Sequence, residues 1–394
     1  MNPAQLPLER KPAQELLRSL TDEHVLRALM RHRLLTRAEL STETGVSKPT
    51  AGESVRRLTE AGLVVDTGRR TPGGRGRGRV GSYYALAPDV GMALAVSIAP
   101  EGVVVECVDA YGTVLARAEQ AVGRPARPDD VATALADAVD RVCASVESLR
   151  AAESDAAARA GAKVRGPGRL RLAARPRLAV VSAADPVDRH TGRLLQLPDA
   201  PFLLGEIDPV AALAGRVDGP VLVDNDVNWA AEAERSVAPV DDFAYVYLDE
   251  GLGCAIVSDG EVRRGHHGLA GEVAHLITVG PGGRAMPLIE VFGALGLRRA
   301  GSTAIDVDRL AEERPPEVVT AVCGLIAALA TLIDPELVVI GGRWGTRLIG
   351  AIADEAGRLP RPVRVRAAAV RNEPSLKGAR ADALHRLRES ILDR

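Results

Sequence analysis

At 394 residues, the chain exceeds the roughly 250–300 residues at which one hydrophobic core stops growing, so we expect two or three domains. With 46% hydrophobic and 26% charged residues, its composition is that of an ordinary globular protein. No apolar segment follows the N-terminus, and the most hydrophobic window, 318–333, is shorter than the roughly 20 residues of a membrane span. We therefore expect a cytoplasmic protein.

Charge is divided unevenly along the chain. Up to residue 90 there are 15 Lys and Arg against 10 Asp and Glu, although the formal net charge of the whole chain is -2. A basic front ahead of an acidic body indicates that the front binds a polyanion. The four cysteines have no paired spacing, which favours buried thiols in a reducing compartment over a disulfide framework or a zinc knuckle. They are Cys107, Cys143, Cys254 and Cys323.

Residues 1–88 are predicted to form a winged helix-turn-helix, with three helices ahead of a β-hairpin. Thr36 and Glu39 have the spacing of a capping box at the start of the second helix, and Gly45 ends that helix. Ser47 is the expected N-cap of the third helix, and Pro49 falls in its first turn, where a missing N–H costs nothing.

Two predicted strands, 63–66 and 80–85, enclose a tip at 67–79 that is rich in Gly and Arg, and we interpret this tip as the wing. In a helix-turn-helix, the second helix of the pair presents its N-terminal residues to base edges, and a basic wing can follow the phosphates. The alternatives are a flexible linker for the tip and a dimerisation module for the helices. The residues expected to contact DNA are Ser47, Lys48, Thr50, Arg56, Arg57, Arg69, Arg70, Arg75, Arg77 and Arg79.

From residue 91 the pattern becomes that of an α/β body with two lobes. Three apolar runs, 92–99, 103–108 and 114–117, predict an antiparallel meander. A helix at 129–149 leads to a low-complexity stretch, 151–175, that we interpret as a disordered or partly helical insertion. Further strands are predicted at 178–182, 221–223, 243–248, 253–257 and 337–340, and further helices at 228–235, 317–333 and 379–392.

Four segments of the body resemble the ROK family (repressors, open reading frames and sugar kinases), and their order and spacing together are specific. They read VLVDNDVNWAA from Val221, GLG from Gly251, GLAGEVAH from Gly268 and PELVVIGG from Pro335. The resemblance covers nearly the whole chain, including the helix-turn-helix. It implies an actin-like, hexokinase-type (RNase H-like) body whose lobes, 89–235 and 236–378, close on a cleft. The resemblance also implies that the C-terminal helix, 379–394, packs back on the first lobe.

The resemblance implies sugar-contacting roles for several polar residues. In the family, the Asn of the first motif holds a sugar hydroxyl, the following Asp is the general base of phosphoryl transfer, and the Glu and His of the third segment lie on the sugar. Such groups suit a hydroxyl-rich ligand, but they could also survive as helix caps, since Asp226 and Asn228 sit where an N-cap is needed. The matching positions are Asn225, Asp226, Glu272, His275 and Glu290.

The chain departs from the family pattern where family kinases handle phosphate and zinc. Where those kinases have Asp-x-Gly-Gly-Thr, this chain has a degraded phosphate site formed by Ser97, Ala99, Pro100 and Glu101. The proline removes a donor and the glutamate places a carboxylate where phosphate oxygens would sit. Residues 279–288 lack the family's zinc-binding cysteines, and His275 alone cannot hold zinc. We therefore expect no kinase activity, no cofactor and no metal.

The sequence predicts a DNA-binding transcription regulator, usually a repressor, whose body senses a sugar or sugar phosphate. Two alternatives remain open: a regulator whose body only oligomerises, and an active sugar kinase with an added DNA-binding domain. Operator half-sites about 34–36 Å apart would favour a homodimer or a dimer of dimers on double-stranded DNA. The apolar helix 317–333, together with its neighbours, is expected to offer apolar surface for the subunit interface.

Overall fold

The structure is a computed structural model that describes residues 12–71, 81–159, 175–197, 202 and 205–393. Among these residues, no single helix combines the length and apolar composition needed to cross a membrane, and one bent pair, Val307–Glu313 with Pro316–Leu332, meets both criteria only when taken together.

The N-terminal unit is a winged helix-turn-helix with one strand more than the sequence predicted. The predicted capping box between Thr36 and Glu39 is confirmed, and Gly45 ends the second helix with a φ of 71°. The extra two-residue strand is too short to leave a periodic signal, and it extends the hairpin to the order β1-β3-β2. The elements are α1 (Pro12–His32), β1 (Leu35–Thr36), α2 (Arg37–Thr44), α3 (Lys48–Glu60), β2 (Val64–Arg70) and β3 (Ser82–Leu86).

The first lobe is built on a five-stranded sheet of order β6-β5-β4-β7-β8. The predicted meander is confirmed, and β7 and β8 extend the sheet in parallel. The helix after the meander continues to Arg159, so the insertion begins as helix. The elements are β4 (Met92–Ala99), β5 (Gly102–Asp109), β6 (Val114–Gln120), α4 (Pro128–Arg159), β7 (Leu178–Ala183), α5 (Pro209–Ala212), β8 (Val221–Asn225) and α6 (Asp226–Val237).

The second lobe is built on a five-stranded sheet of order β11-β10-β9-β14-β15, with a separate two-stranded sheet formed by β12 and β13. Its elements are β9 (Phe243–Leu248), β10 (Leu252–Ser258), β11 (Glu261–Val262), β12 (Ile277–Val279), β13 (Ala285–Pro287), α7 (Leu288–Ala294), α8 (Val307–Glu313), α9 (Pro316–Leu332), β14 (Leu337–Gly341), α10 (Arg343–Arg347), α11 (Ile349–Ala356) and β15 (Arg364–Ala367).

Helix α9 is the apolar helix from which the sequence predicted a subunit interface. Most of its apolar residues, among them Val318, Val322, Leu325 and Ile326, are buried in the core of the second lobe. Only Leu332, 79% exposed, is a large apolar side chain of this helix that faces solvent. Hydrophobicity alone does not separate a core helix from an interface helix. The adjoining strand β12 does expose apolar side chains, with Ile277 63% and Val279 47% exposed, so the expected subunit interface stays a prediction.

The final helix, α12 (Pro374–Leu392), packs on the first lobe against α6, β4 and β7. Leu376, Leu387 and Ile391 are buried in this contact. Gly378 allows a very close approach to α6, since a Cβ at this position would lie 1.9 Å from the backbone carbonyl oxygen of Trp229. The helix therefore lies directly on the backbone of its neighbour.

The winged helix and the first lobe share one hydrophobic cluster. Leu86 and Val90 of the N-terminal part join Leu387 and Ile391 of α12 in this cluster. The backbone N–H of Leu86 also donates to the Tyr111 hydroxyl at 2.9 Å. Polar and apolar contacts together fix the winged helix to the body.

Candidate nucleic-acid interface and interlobe cleft

The first turn of α3 is exposed. Ser47, Lys48 and Thr50 all face solvent, and the Ser47 Oγ accepts a hydrogen bond from the Thr50 backbone N–H at 3.3 Å. The predicted cap is therefore confirmed. These three predicted contacts lie together on one turn, in the geometry with which a recognition helix enters the major groove.

The two arginines further along α3 are engaged within the protein. Arg56 binds Glu53 and Glu60 of the same helix, at 2.6 and 2.5 Å. Arg57 is half-buried and binds Asp22 of α1 at 2.6 Å. This corrects the expectation that Arg57 faces phosphates: it holds α3 against α1. The sequence did not reveal this pair because the two residues are 35 positions apart.

A basic residue outside the predicted set lies beside α3. Arg37, at the start of α2, is exposed and its guanidinium stacks over the Tyr84 ring at 5.2 Å from the centroid. Its position could have been found in the sequence, because the first helix of a helix-turn-helix crosses the DNA backbone. On the wing, Arg69 and Arg70 are exposed at the end of β2, whereas Arg75, Arg77 and Arg79 lie outside the described residues.

A cavity of about 830 Å³ lies between the two lobes. Asn225, Asp226, Glu272 and His275 all line it, so the structure brings four of the five predicted ligand positions together. The degraded phosphate site lines the same cavity through Ser97, Ala99, Pro100 and Glu101. The fifth position, Glu290, does not line it: this exposed side chain binds Arg298 at 3.1 Å, because α7 turns it away from the cavity wall formed by Ile289.

Asn225 and Asp226 stand where β8 ends and α6 begins. The side-chain oxygen of Asn225 accepts from the backbone N–H of Val227 at 2.9 Å, so Asn225 is the N-cap of α6. Asn225 therefore has the capping role that the sequence-based alternative gave to Asp226 and Asn228, because α6 begins at Asp226. The next residue, Asp226, lines the cavity.

Three carboxyl groups gather at this end of the cavity: Asp226, Glu272 and a residue that sequence reasoning missed, Asp185. Burial raises the pKa of Asp185 to about 7, with a further contribution from Glu272. Burial likewise raises the pKa values of Asp226 and Glu272 to about 7. Asp185 lies two residues beyond the end of β7, which runs parallel to β8, and the carboxyl ends of adjacent parallel strands meet at one edge of a sheet. That topology was the available signal for Asp185.

A close backbone contact fixes the loop that carries Glu272. Gly271 has a φ of 96°, and a Cβ there would lie 1.8 Å from the carbonyl oxygen of Cys254 on β10. The Cys254 N–H in turn donates to the Gly271 carbonyl at 3.0 Å. Only glycine fits this position, and the contact sets Glu272 at the cavity wall. Within the described ranges, no group of three His, Cys, Asp or Glu side chains is placed to hold a metal ion.

The opposite end of the cavity is an arginine cluster around Glu250. The Glu250 carboxylate accepts from Arg124 of the first lobe at 3.2 Å, and from Arg299 and Arg343 of the second lobe at 2.8 and 3.0 Å. The Arg124 Nε also donates to the Pro100 carbonyl at 2.8 Å. Glu250 and Arg124 thus connect both lobes and Pro100 through one hydrogen-bond network.

Comparison with protein families identifies two parts of the chain. Residues 171–286 match the ROK family, and residues 21–76 match the MarR family. The structure is similar to the crystal structure of a ROK family transcriptional regulator, a homologue of the E. coli MLC protein, with a TM-score of 0.55 and 18% identity. The superposition covers 95% of this chain and 98% of that one. At this identity, the likeness shows the fold alone.

Two curated relatives resemble this chain over part of their length. The "Bifunctional enzyme NanE/NanK" of Brucella suis biovar 1 (strain 1330) is 30% identical over 147 residues, which are 34% of this chain and 28% of that protein. The "Putative xylose repressor" of Caldicellulosiruptor sp. (strain Rt8B.4) is 21% identical over 264 residues, which are 66% of this chain and 59% of that protein. The chain therefore spans less than two thirds of the length of either relative.

Proposed function

Because this chain carries a ROK-family domain behind a MarR-type winged helix, we propose that it is a DNA-binding transcription repressor whose body binds a hydroxyl-rich effector. The observation that carries the proposal is the exposed, Ser47-capped first turn of α3. Lys48 and Arg37 flank this turn, and the exposed arginines of β2 extend the positive charge toward the wing. Such a surface offers both base contacts and phosphate contacts.

The proposal includes binding of the effector without phosphoryl transfer. Pro100 and Glu101 form the turn between β4 and β5, where a phosphate cradle would need backbone N–H donors. Arg124, Arg299 and Arg343, which line the same cavity, are paired with Glu250, and Arg343 also with Asp249. Since phosphoryl transfer depends on positioning and charge stabilisation, these features support a receptor rather than a kinase.

Helix α12 gives the cleft a direct connection to the winged helix. Its first residues, Pro374 to Leu376, line the cavity, and near its other end Glu389 binds Arg27 of α1 at 3.4 Å. An effector that favours one arrangement of the lobes would therefore shift α12 relative to the DNA-binding unit. A difference in effector affinity between the two lobe arrangements would couple effector binding to DNA affinity.

We further propose that the regulator acts as a homodimer, or as a dimer of dimers, because one winged helix reads only one half-site of a symmetric operator. Light scattering of the full chain should give a mass of at least twice 41.4 kDa at micromolar concentration. A mass of one chain, with or without operator DNA, would exclude the dimer.

The DNA-binding part of the proposal is tested by selecting bound fragments from a genomic DNA pool with the full chain. The selected fragment is then titrated with the wild type and with Lys48→Ala. A matched control is Arg358→Ala, which removes an exposed cation of the second lobe. We expect Lys48→Ala to weaken binding at least tenfold and the control to leave it unchanged. Failure to enrich any sequence would refute the proposal.

A further inference from the structure

We infer that the effector carries a positively charged amine, so that the cleft prefers an amino sugar, or another aminated polyol, to the corresponding neutral sugar. The inference rests on the proposed function, because it names the ligand class of the same cleft. It follows from how charge is distributed between the two ends of the cavity.

The end of the cavity formed by Asp185, Asp226 and Glu272, called the inner end below, is acidic. Among the described residues, no Arg or Lys side chain hydrogen-bonds to Asp185, Asp226 or Glu272. Asp185 is 3% exposed, and its buried Oδ2 atom has no hydrogen-bond partner among the described residues. A buried carboxylate oxygen without a donor is costly, and Asp185 lines the cavity. A ligand that donates hydrogen bonds would satisfy this atom.

Four arginines of the described residues line the cavity. Three of them lie at the opposite, outer end around Glu250 and are engaged by carboxylates; the fourth is Arg371. Arg124, Arg299 and Arg343 all bind Glu250, and Arg343 also binds Asp249 at 2.6 Å. An anionic ligand would have to compete with these carboxylates for the arginines. A charged group on the ligand should therefore affect affinity most at the inner end, where the carboxylates attract only a positive charge.

An ammonium group fits the inner end better than a metal ion or a hydroxyl group does. No described set of three His, Cys, Asp or Glu residues is arranged to hold a metal. An ammonium group has three donors and no acceptor, which complements ionised carboxylates. A hydroxyl can donate only one hydrogen bond and brings no charge. The protein would then have to keep some of its carboxyl groups protonated.

Binding of a cation should release protons from the protein. Burial holds the pKa values of Asp185, Asp226 and Glu272 at about 7, so near neutral pH these groups retain part of their protons. A bound ammonium favours the charged carboxylates and lowers those pKa values. Affinity for an amine should therefore increase as pH rises toward 7, and affinity for a neutral sugar should not. The titratable groups that face this end of the cavity are Asp185, Asp226, Glu272, Glu101, His275 and Tyr247.

The test is calorimetry of the full chain with matched sugar pairs at about pH 6.5, where the sugar amine is protonated. The pairs are glucosamine with glucose, galactosamine with galactose and mannosamine with mannose; N-acetylglucosamine serves as the neutral amide. We expect one amino sugar to bind at least tenfold more tightly than its neutral partner. Asp185→Asn should reduce that ratio to about one. The matched control, Asp354→Asn, replaces an exposed carboxylate of α11 and should leave the ratio unchanged.

A second measurement uses only the wild type and so does not depend on how Asp185→Asn folds. Titrations in PIPES and in HEPES, which differ in ionisation enthalpy, should give different heats for the amino sugar because protons are released. Equal affinity for the amino and neutral sugars, or no proton release, would overturn this inference and leave the proposed regulator intact. If none of these sugars binds, the sugar-sensing part of the proposed function fails as well, while DNA selection still tests the winged helix.

Discussion

The packing of α12 on α6 can be tested by adding a single methyl group. In Gly378→Ala, the new Cβ would lie 1.9 Å from the Trp229 carbonyl oxygen and 2.7 Å from its carbonyl carbon. Backbone atoms cannot rotate away as a flexible side chain can, so α12 has to move by about an ångström. Overpacking of this kind costs about 1–3 kcal/mol.

Thermal unfolding of the full chain, followed by circular dichroism, measures this cost. One kcal/mol corresponds to roughly 2–4 °C for a folding unit of 150–250 residues, so Gly378→Ala should melt several degrees below the wild type. Gly350→Ala is the matched control, because the methyl it adds to α11 meets nothing within 4 Å, and it should stabilise by about 0.5–1 kcal/mol. If Gly378→Ala melts with the wild type, the close packing of α12 on α6 is not what holds that helix.

Four further predictions concern DNA binding, the stability of the winged helix and the cleft. Removing the cation of Lys48 or Arg37 should lower the logarithmic salt slope of operator binding by about 0.9 for each phosphate that is no longer neutralised; unchanged slopes in filter binding would remove these residues from the interface. Arg57→Ala and Asp22→Ala should each destabilise the winged helix, and the double variant should lose less than the sum of the two; additive losses in chemical unfolding would contradict a direct ion pair. Glu272→Ala should abolish the effect of a bound sugar on DNA affinity while leaving DNA binding itself intact. A coupled assay should detect no phosphorylated hexose with the wild type. Sugar phosphate above background in that assay would show an active kinase.

Local signals in the sequence correctly predict helix ends and sheets whose strands are joined by short turns. Thr36, Glu39, Gly45 and Ser47 fix helix ends through bonds to residues within one turn, so their meaning is visible in the chain itself. The meander from 92 to 120 is also visible in the local sequence, because its strands are joined by short turns. Such features need no knowledge of the remaining structure.

The errors come from contacts between distant parts of the chain. Arg57 looks available to DNA in the sequence because nothing there indicates Asp22 as its partner, and Glu290 looks like a cleft residue because its direction depends on how α7 packs. Asp185 was missed for a related reason: its importance arises from the parallel pairing of β7 with β8. The resemblance supplied most of the cleft, and tertiary packing decided the remaining positions.

The core shared by the winged helix and α12 has a consequence for synthesis of the protein. The ribosome makes residues 12–86 early, whereas Leu387 and Ile391, which pack with Leu86 and Val90, are made some 300 residues later. Nascent domains generally fold in order of synthesis, but here the first domain has to wait for the last helix before its apolar side is covered. A prematurely terminated chain that lacks 374–392 would leave this side open to water and to chaperones.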